Sequence, residues 1–226
     1  MLLFDTSAAP VPLTEKYRPR CLDQLVGQAE AVGLLRAFIA RPYATSFLFE
    51  GDTGTGKTSA AFALAHELGC AIAQGELGGL CEIASGEQTA DDVRSALRAA
   101  WLRPFYGSGW RVLIVNEADR MSPAAETIWL DALESLPAKL VIVFTTNHSG
   151  KLSPRFRDRC ERVSFVSDWD TVKRAAQDLA VRIWQLETGR ADRPNLGNDV
   201  VDANGTLSFR RVVQAVAKQV RLAGVA

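Results

Sequence analysis

Gly51, Gly56, Lys57 and Thr58 stand at the spacing of a loop that wraps phosphate. Glycines let backbone amides turn inward on an anion, a lysine reaches the terminal phosphates of a nucleotide, and a threonine hydroxyl can ligate magnesium. The run Gly51-Asp52-Thr53-Gly54-Thr55-Gly56-Lys57-Thr58-Ser59 is therefore the candidate nucleotide cradle. A plain Gly-rich turn before an amphipathic helix is the alternative, and the flanking residues weigh against it. Further polar residues close two apolar runs: Asn116 and Glu117 follow Arg111-Val-Leu-Ile-Val, and Asn147 follows Leu140-Val-Ile-Val-Phe-Thr-Thr. Polar groups at the carboxyl ends of buried parallel strands are where an α/β sheet meets its ligand.

These residues need particular elements beneath them. Phe47, Leu48 and Phe49 suit a short buried strand, and Ser59 to Leu68 is rich in helix formers with Gly69 as its stop, so strand, loop and helix follow in the order the motif requires. Residues 29–40 read as a helix, 80–84 as a second strand and 75–79 as a loop. Thr89 before Ala90, Asp91 and Asp92 is an N-cap signal, with a helix expected to about Leu102. Ser122 and Pro123 open another, expected to reach Leu136 and end at Pro137. A last strand is expected over 162–166. From Asp168 the pattern turns helical, with one helix to Leu186 and another from Ser208 to about Leu222. Phe105-Tyr106-Gly107 reads as a packed loop. The expected architecture is α/β: a P-loop nucleotide-binding core over 15–166 with a five-stranded parallel sheet, a helical lid over 167–226, and an extended arm over 1–14.

Composition narrows the class. The chain has 226 residues, with 26 basic and 26 acidic side chains, so its balance favours neither nucleic acid nor membrane, and any such surface must be local. Cys21, Cys70, Cys81 and Cys160 are scattered without metal-ligand spacing, as reduced thiols would be. No stretch approaches the roughly 18 apolar residues of a membrane span, and the opening Met-Leu-Leu-Phe-Asp lacks a basic start. A cytoplasmic location is the default expectation.

Two stretches ahead of the loop carry a resemblance. Glu15-Lys16-Tyr17-Arg18-Pro19 followed by Leu25-Val26-Gly27-Gln28 resembles the segment that precedes the phosphate loop in the clamp-loader branch of the AAA+ ATPases. The likeness continues in order to the end of the chain and is similar to replication factor C small subunits and their bacterial counterparts. It implies ATP and Mg2+ as cofactors, with Tyr17, Arg18, Val26 and Gly27 lining the base pocket. Arg111 to Asp119 resembles the Walker B motif, which makes Glu117 the residue that activates the attacking water. Asn116 stands where the family has an aspartate near magnesium. An amide keeps one acceptor but loses the charge, and charge-assisted contacts are about twice as strong as neutral ones. Two readings stay open: a slow ATPase, which is favoured, or a subunit that binds ATP only as structure.

The resemblance also implies that Asn147 is the first sensor residue, touching the attacking water or γ-phosphate. Asp158-Arg159-Cys160 is similar to the family's Ser-Arg-Cys motif, which makes Arg159 the arginine finger into a neighbouring subunit's ATP, with Arg157 second in line; surface ion pairing is the alternative. Arg210 is the best match to the second sensor arginine, Arg211 the next. Arg94 and Arg98 share one exposed helix face; on residues alone that face is a solvated surface, while the resemblance implies contact with the DNA backbone. Family loaders carry a further helical collar, and this sequence ends at Ala226 after the lid without a zinc module, so assembly is expected to rest on ATPase faces, ATP, DNA or another protein. The implied function is an oligomeric, DNA-associated ATP switch in replication or repair, with a sliding clamp or another replication protein as possible partner. A non-hydrolysing adaptor, and a Holliday-junction motor or protein remodeller of related core, are the alternatives.

Overall fold

A computed structural model describes residues 11–86 and 88–224, so most of the arm expected over 1–14 lies outside the described residues. The chain opens with a one-turn helix α1 (Leu13–Lys16), a 3-10 turn at Leu22–Gln24 and α2 (Ala29–Ala40). Then come β1 (Thr45–Glu50), α3 (Lys57–Glu67), β2 (Leu80–Ile83), α4 (Ala90–Trp101), β3 (Arg111–Val115), α5 (Pro123–Leu133), β4 (Leu140–Thr146), α6 (Pro154–Asp158) and β5 (Glu161–Ser164). Two long helices close the chain, α7 (Trp169–Thr188) and α8 (Phe209–Leu222).

The five strands form one parallel sheet in the order β2-β3-β4-β1-β5. Parallel pairing forces every connection to cross back over a face of the sheet, so both faces are covered and the central strands β3, β4 and β1 are largely apolar, while the edge strands β2 and β5 carry Glu82, Glu161 and Arg162. Successive side chains alternate between the faces. Phe47, Phe49, Val112, Ile114, Val141 and Val143 pack with α2 and the alanine-rich α3 on one side. Leu48, Leu113, Val115, Ile142 and Phe144 pack with α4, α5 and α6 on the other. There Trp129 and Phe156 both meet Phe144 edge-on, with ring centroids 5.0 and 4.8 Å apart.

A third apolar cluster belongs to the lid: Val172, Ala176, Ile183 and Trp184 of α7 against Val212, Val213, Val216 and Val220 of α8. Leu13 and Tyr17 pack on it as well, so the first described segment sits on the lid rather than on the sheet. Gln28 ties the pieces together, exchanging two 2.8 Å hydrogen bonds with the backbone of Val166 where the sheet hands over to the lid.

Some element ends differ from expectation. Helix α5 stops at Leu133 instead of Leu136: the amides of Glu134 and Ser135 turn to Asp131 and Ala132, three residues back, and Pro137 has no amide to offer the Leu133 carbonyl. The expected loop over 75–79 belongs to a pair of 3-10 turns spanning Ile72–Gly78, broken at Gly75. Strand β5 ends at Ser164, though the Phe165 amide still donates to the Glu50 carbonyl at 2.8 Å. Helices α1 and α6 are too short to leave a periodic signal.

At the start of β3, Arg111 is 7% exposed and donates to the carbonyls of Ala100 and Trp101, each at 3.0 Å, and to those of Leu102 and Ala138. One guanidinium thereby gathers the orphan carbonyls that end α4.

Candidate functional site

The carboxyl ends of β1, β3 and β4 lie side by side, and the candidate residues leave the sheet there. Chain direction alone therefore brings 51–57, 116–117 and 147 to one edge. Lys57 opens α3, with Gly56 as its N-cap in the left-handed region, so the free amides of the first helical turn face the loop. The Lys57 ammonium is 7% exposed and donates to the carbonyls of Gly51 at 2.6 Å and Asp52 at 2.8 Å and to Asn147 Oδ1 at 2.8 Å. Burial pulls its pKa down to about 8, opposed chiefly by the charge of Asp52. Gly51, at φ 145°, passes so close to Phe165 that a Cβ would lie 2.4 Å from that residue's carbonyl oxygen. Thr55 Oγ1 donates to the Asp52 carbonyl at 2.8 Å and closes the loop on itself.

Beside the loop, register sets the next contacts. Val115 pairs with Phe144, which puts Asn116 opposite Thr145, and Ile83 pairs with Val115, which puts Glu82 of β2 within reach. Asn116 Oδ1 accepts from Thr58 Oγ1 at 3.0 Å and from Thr145 Oγ1 at 3.4 Å, while Asn116 Nδ2 donates to Glu82 Oε1 at 2.6 Å. Glu117 adopts a left-handed backbone, φ 51° and ψ 51°, and its amide donates to Thr145 Oγ1 at 3.2 Å. Its Oε2 is buried and receives no aligned hydrogen bond, although Arg120 Nε lies 2.9 Å away as an ion pair. Asp119 accepts from Thr146 Oγ1 at 2.7 Å and stays behind the site.

Magnesium is tested against these donors. Thr58, Asn116, Glu82 and Glu117 all offer oxygen, the hard ligand that Mg2+ prefers. Among the described residues no three His, Cys, Asp or Glu side chains gather as a metal cage. That suits an ion held by one or two protein groups plus phosphate and water, so the residues fit it.

All of this faces a cleft of about 520 Å³ between sheet and lid. Thr53, Gly54, Thr55, Gly56, Thr58, Ser59, Asn116, Glu117 and Asn147 line its floor, and Tyr17, Arg18, Pro19, Leu25 and Val26 one wall. The lid contributes Leu179, Phe209, Arg210 and Val213. The Tyr17 hydroxyl hydrogen-bonds Glu187 of α7, which Lys16 also pairs at 2.7 Å; burial, then Glu187, push that phenol well above its ordinary pKa. Arg18 lies over the Phe62 ring at 5.4 Å. Gly27 is not among the lining residues: it is set back under the lid, where a Cβ would come 2.8 Å from the Phe209 ring. Asp52 and Gly51 act through their carbonyls on Lys57 rather than as cleft walls.

The remaining candidates lie elsewhere. Arg159 ion-pairs with Glu134 in a separate shallow groove shared with Thr127, Leu130, Asp131 and Arg155. Arg157 Nε is buried without a partner. Arg94 pairs with Asp91 at 2.8 Å and Arg98 donates to Ser95 at 3.2 Å, both on the exposed face of α4. Arg211 is exposed at the start of α8. Sequence reasoning missed Glu82, Thr145 and Arg111. The signal for Glu82 and Arg111 was a charged residue inside or heading an otherwise apolar strand.

A family model described as ATPase family associated with various cellular activities (AAA) matches residues 47–168. Replication factor C small subunit of Picrophilus torridus is 30% identical over 170 residues, which cover 74% of this chain and 52% of that protein. Replication factor C subunit 3 of Saccharomyces cerevisiae is 32% identical over 157 residues, 69% of this chain and 45% of that one. The chain thus spans about half the length of the curated relatives it matches. Among solved structures, a RuvB variant from Thermotoga maritima superposes with a TM-score of 0.68 at 21% identity, covering 90% of this chain and 66% of that one. A DNA polymerase III gamma subunit-related protein from the same organism gives 0.55 at 21% identity, covering 70% and 52%. Both carry the same fold. Among the described residues no helix is long and apolar enough to cross a membrane.

Proposed function

The chain belongs to the AAA family of ATPases, and from that premise we propose that it binds ATP with Mg2+ in this cleft and hydrolyses it slowly as part of an oligomeric, DNA-associated switch of the clamp-loader kind. One observation carries the reading: a buried lysine, Lys57, at a helix N-terminus beside Thr58, with Asn116, Glu117 and Asn147 arriving next to it from the ends of the neighbouring strands β3 and β4.

Lys57 and the α3 amides hold the β- and γ-phosphates. Bound Mg2+ would neutralise charge on those phosphates, next to Thr58 and Asn116. Glu117 accepts the proton of the attacking water, and Asn147, released by Lys57 when phosphate arrives, orients it. Tyr17, Arg18 and Val26 border the base, and Arg210 of the lid reaches the phosphates. Arg159, on the far groove, completes the site of an adjoining subunit, and Arg94 and Arg98 meet DNA phosphate irrespective of sequence. The replication factor C relatives favour a sliding clamp or another replication protein as the partner.

A second reading, an adaptor that binds ATP without turnover, is favoured by the neutral Asn116 and by Arg120, which pairs the Glu117 carboxylate at 2.9 Å. The deciding experiment measures ATP binding and turnover with magnesium, with and without primed DNA, for the native chain and Arg159→Ala. DNA-stimulated turnover that falls roughly 10^3-fold in Arg159→Ala is the expected outcome for an arginine finger. ATP binding without turnover would leave the adaptor, and no ATP binding would overturn both.

A further inference from the structure

The Walker B position of this chain is uncharged, yet a carboxylate touches it. Glu82 Oε1 lies 2.6 Å from Asn116 Nδ2, and both residues line the cleft beside Thr58 and Glu117. Register puts the two on one face of the sheet, since β2 and β3 pair in parallel with Glu82 opposite Ile114, two residues before Asn116. The hydrogen bonds also fix the amide: with Nδ2 engaged by Glu82, Oδ1 is the atom that receives the Thr58 and Thr145 hydroxyls. Asn116 therefore presents an oxygen to the magnesium side and a donor to the Glu82 carboxylate, which is exposed beside it along the cleft.

We infer that the negative charge which an aspartate would supply at 116 has moved one strand over, to Glu82, and reaches the magnesium of the bound nucleotide through the Asn116 amide. The inference rests on the ATP-binding reading above. Glu82 and Asn116 form a matched pair in which one member bears the charge and the other meets it through a charge-assisted hydrogen bond. An aspartate at 116 beside Glu82 would instead set two carboxylates in contact. Glu82 is thus a positioning residue, holding and polarising a group that lies against the metal, in the way that partners behind metal ligands generally do.

The test uses the full chain with two readouts: the affinity of the protein–ATP complex for Mn2+, from the EPR signal of free Mn2+, and the affinity for ATP in EDTA. Glu82→Gln should weaken Mn2+ about 10- to 100-fold, while ATP binding in EDTA, which reads the phosphate loop, persists. Adding Asn116→Asp to Glu82→Gln should regain most of the loss, because the charge is restored at the neighbouring position. Unchanged Mn2+ affinity in Glu82→Gln overturns the inference while leaving the nucleotide site standing. So does a double variant no better than the single. Failure of the native chain to bind ATP in EDTA and with metal removes the nucleotide site and this inference with it.

Discussion

Lys57 holds a charge where water scarcely reaches, and its only acceptors in the described structure are neutral oxygens. With its pKa down at about 8 in the fold against 10.5 for the free side chain, the unfolded chain binds more protons between those values. The contribution of this group to folding stability therefore rises with pH through that window, since the cost of burying the charge disappears as the proton leaves. Nucleotide affinity runs the other way. Phosphate restores the charge, so ATP binding must take up a proton above pH 8, and affinity should fall by up to about tenfold per pH unit there. Titrations at pH 7, 8 and 9 check this; a flat profile would show that Lys57 stays charged without ligand. At this scale the sequence was informative wherever neighbours in the chain are neighbours in space, as in the loop from Gly51 to Ser59. Glu82 was not legible, because its meaning depends on Asn116, which lies on another strand and meets it only through register.

Helices and strands explain how the lid is held. Gly54, at φ 82°, carries the backbone oxygen that accepts from the Phe209 amide at 3.0 Å, and a Cβ there would lie 2.0 Å from Ser208 Oγ. Ser208 is also the N-cap of α8, accepting from the Arg211 amide at 3.4 Å. The phosphate loop and the first turn of the last helix are thus built against each other. Gly54→Ala combines left-handed strain with that collision and should cost about 1–3 kcal/mol, read as a lower unfolding midpoint together with weaker ATP binding. Measured against Ser208→Ala, which already lacks the cap, Gly54→Ala should cost less than it does in the native chain; an equal cost in both backgrounds would mean the strain alone matters. Long periodic elements such as α7 and α8 were readable from their apolar spacing, and capped starts such as Thr89 and Ser122 from their cap residues. Short elements were not: α1 has no side-chain cap, and α6, though opened by Ser153 and Pro154 as α5 is by Ser122 and Pro123, is too brief to show a period.

Three apolar clusters, two on the sheet and one in the lid, meet around the cleft, so a ligand that touches both sides binds the folded molecule alone. ATP at one hundred times its dissociation constant should add about 2.7 kcal/mol, or roughly 5–10 °C in melting temperature for a chain of this size. Lys57→Ala should lose that shift; an equal shift in the variant would place ATP elsewhere. The order of motifs along the chain sufficed to anticipate a parallel sheet followed by a lid. That the segment at Leu13 and Tyr17 sits on the lid was not visible, since its packing partners are far along the chain, Glu187 of α7 lying 170 residues beyond Tyr17. Arg111 has a consequence of another kind. Arginine does not give up its proton in proteins, and its carbonyl partners carry no net charge to be screened. The far end of α4 is therefore anchored independently of acidity and ionic strength, whereas the Arg94–Asp91 pair on its outer face is open to counterions. A change of buffer can alter what that helix attracts without altering where the helix is.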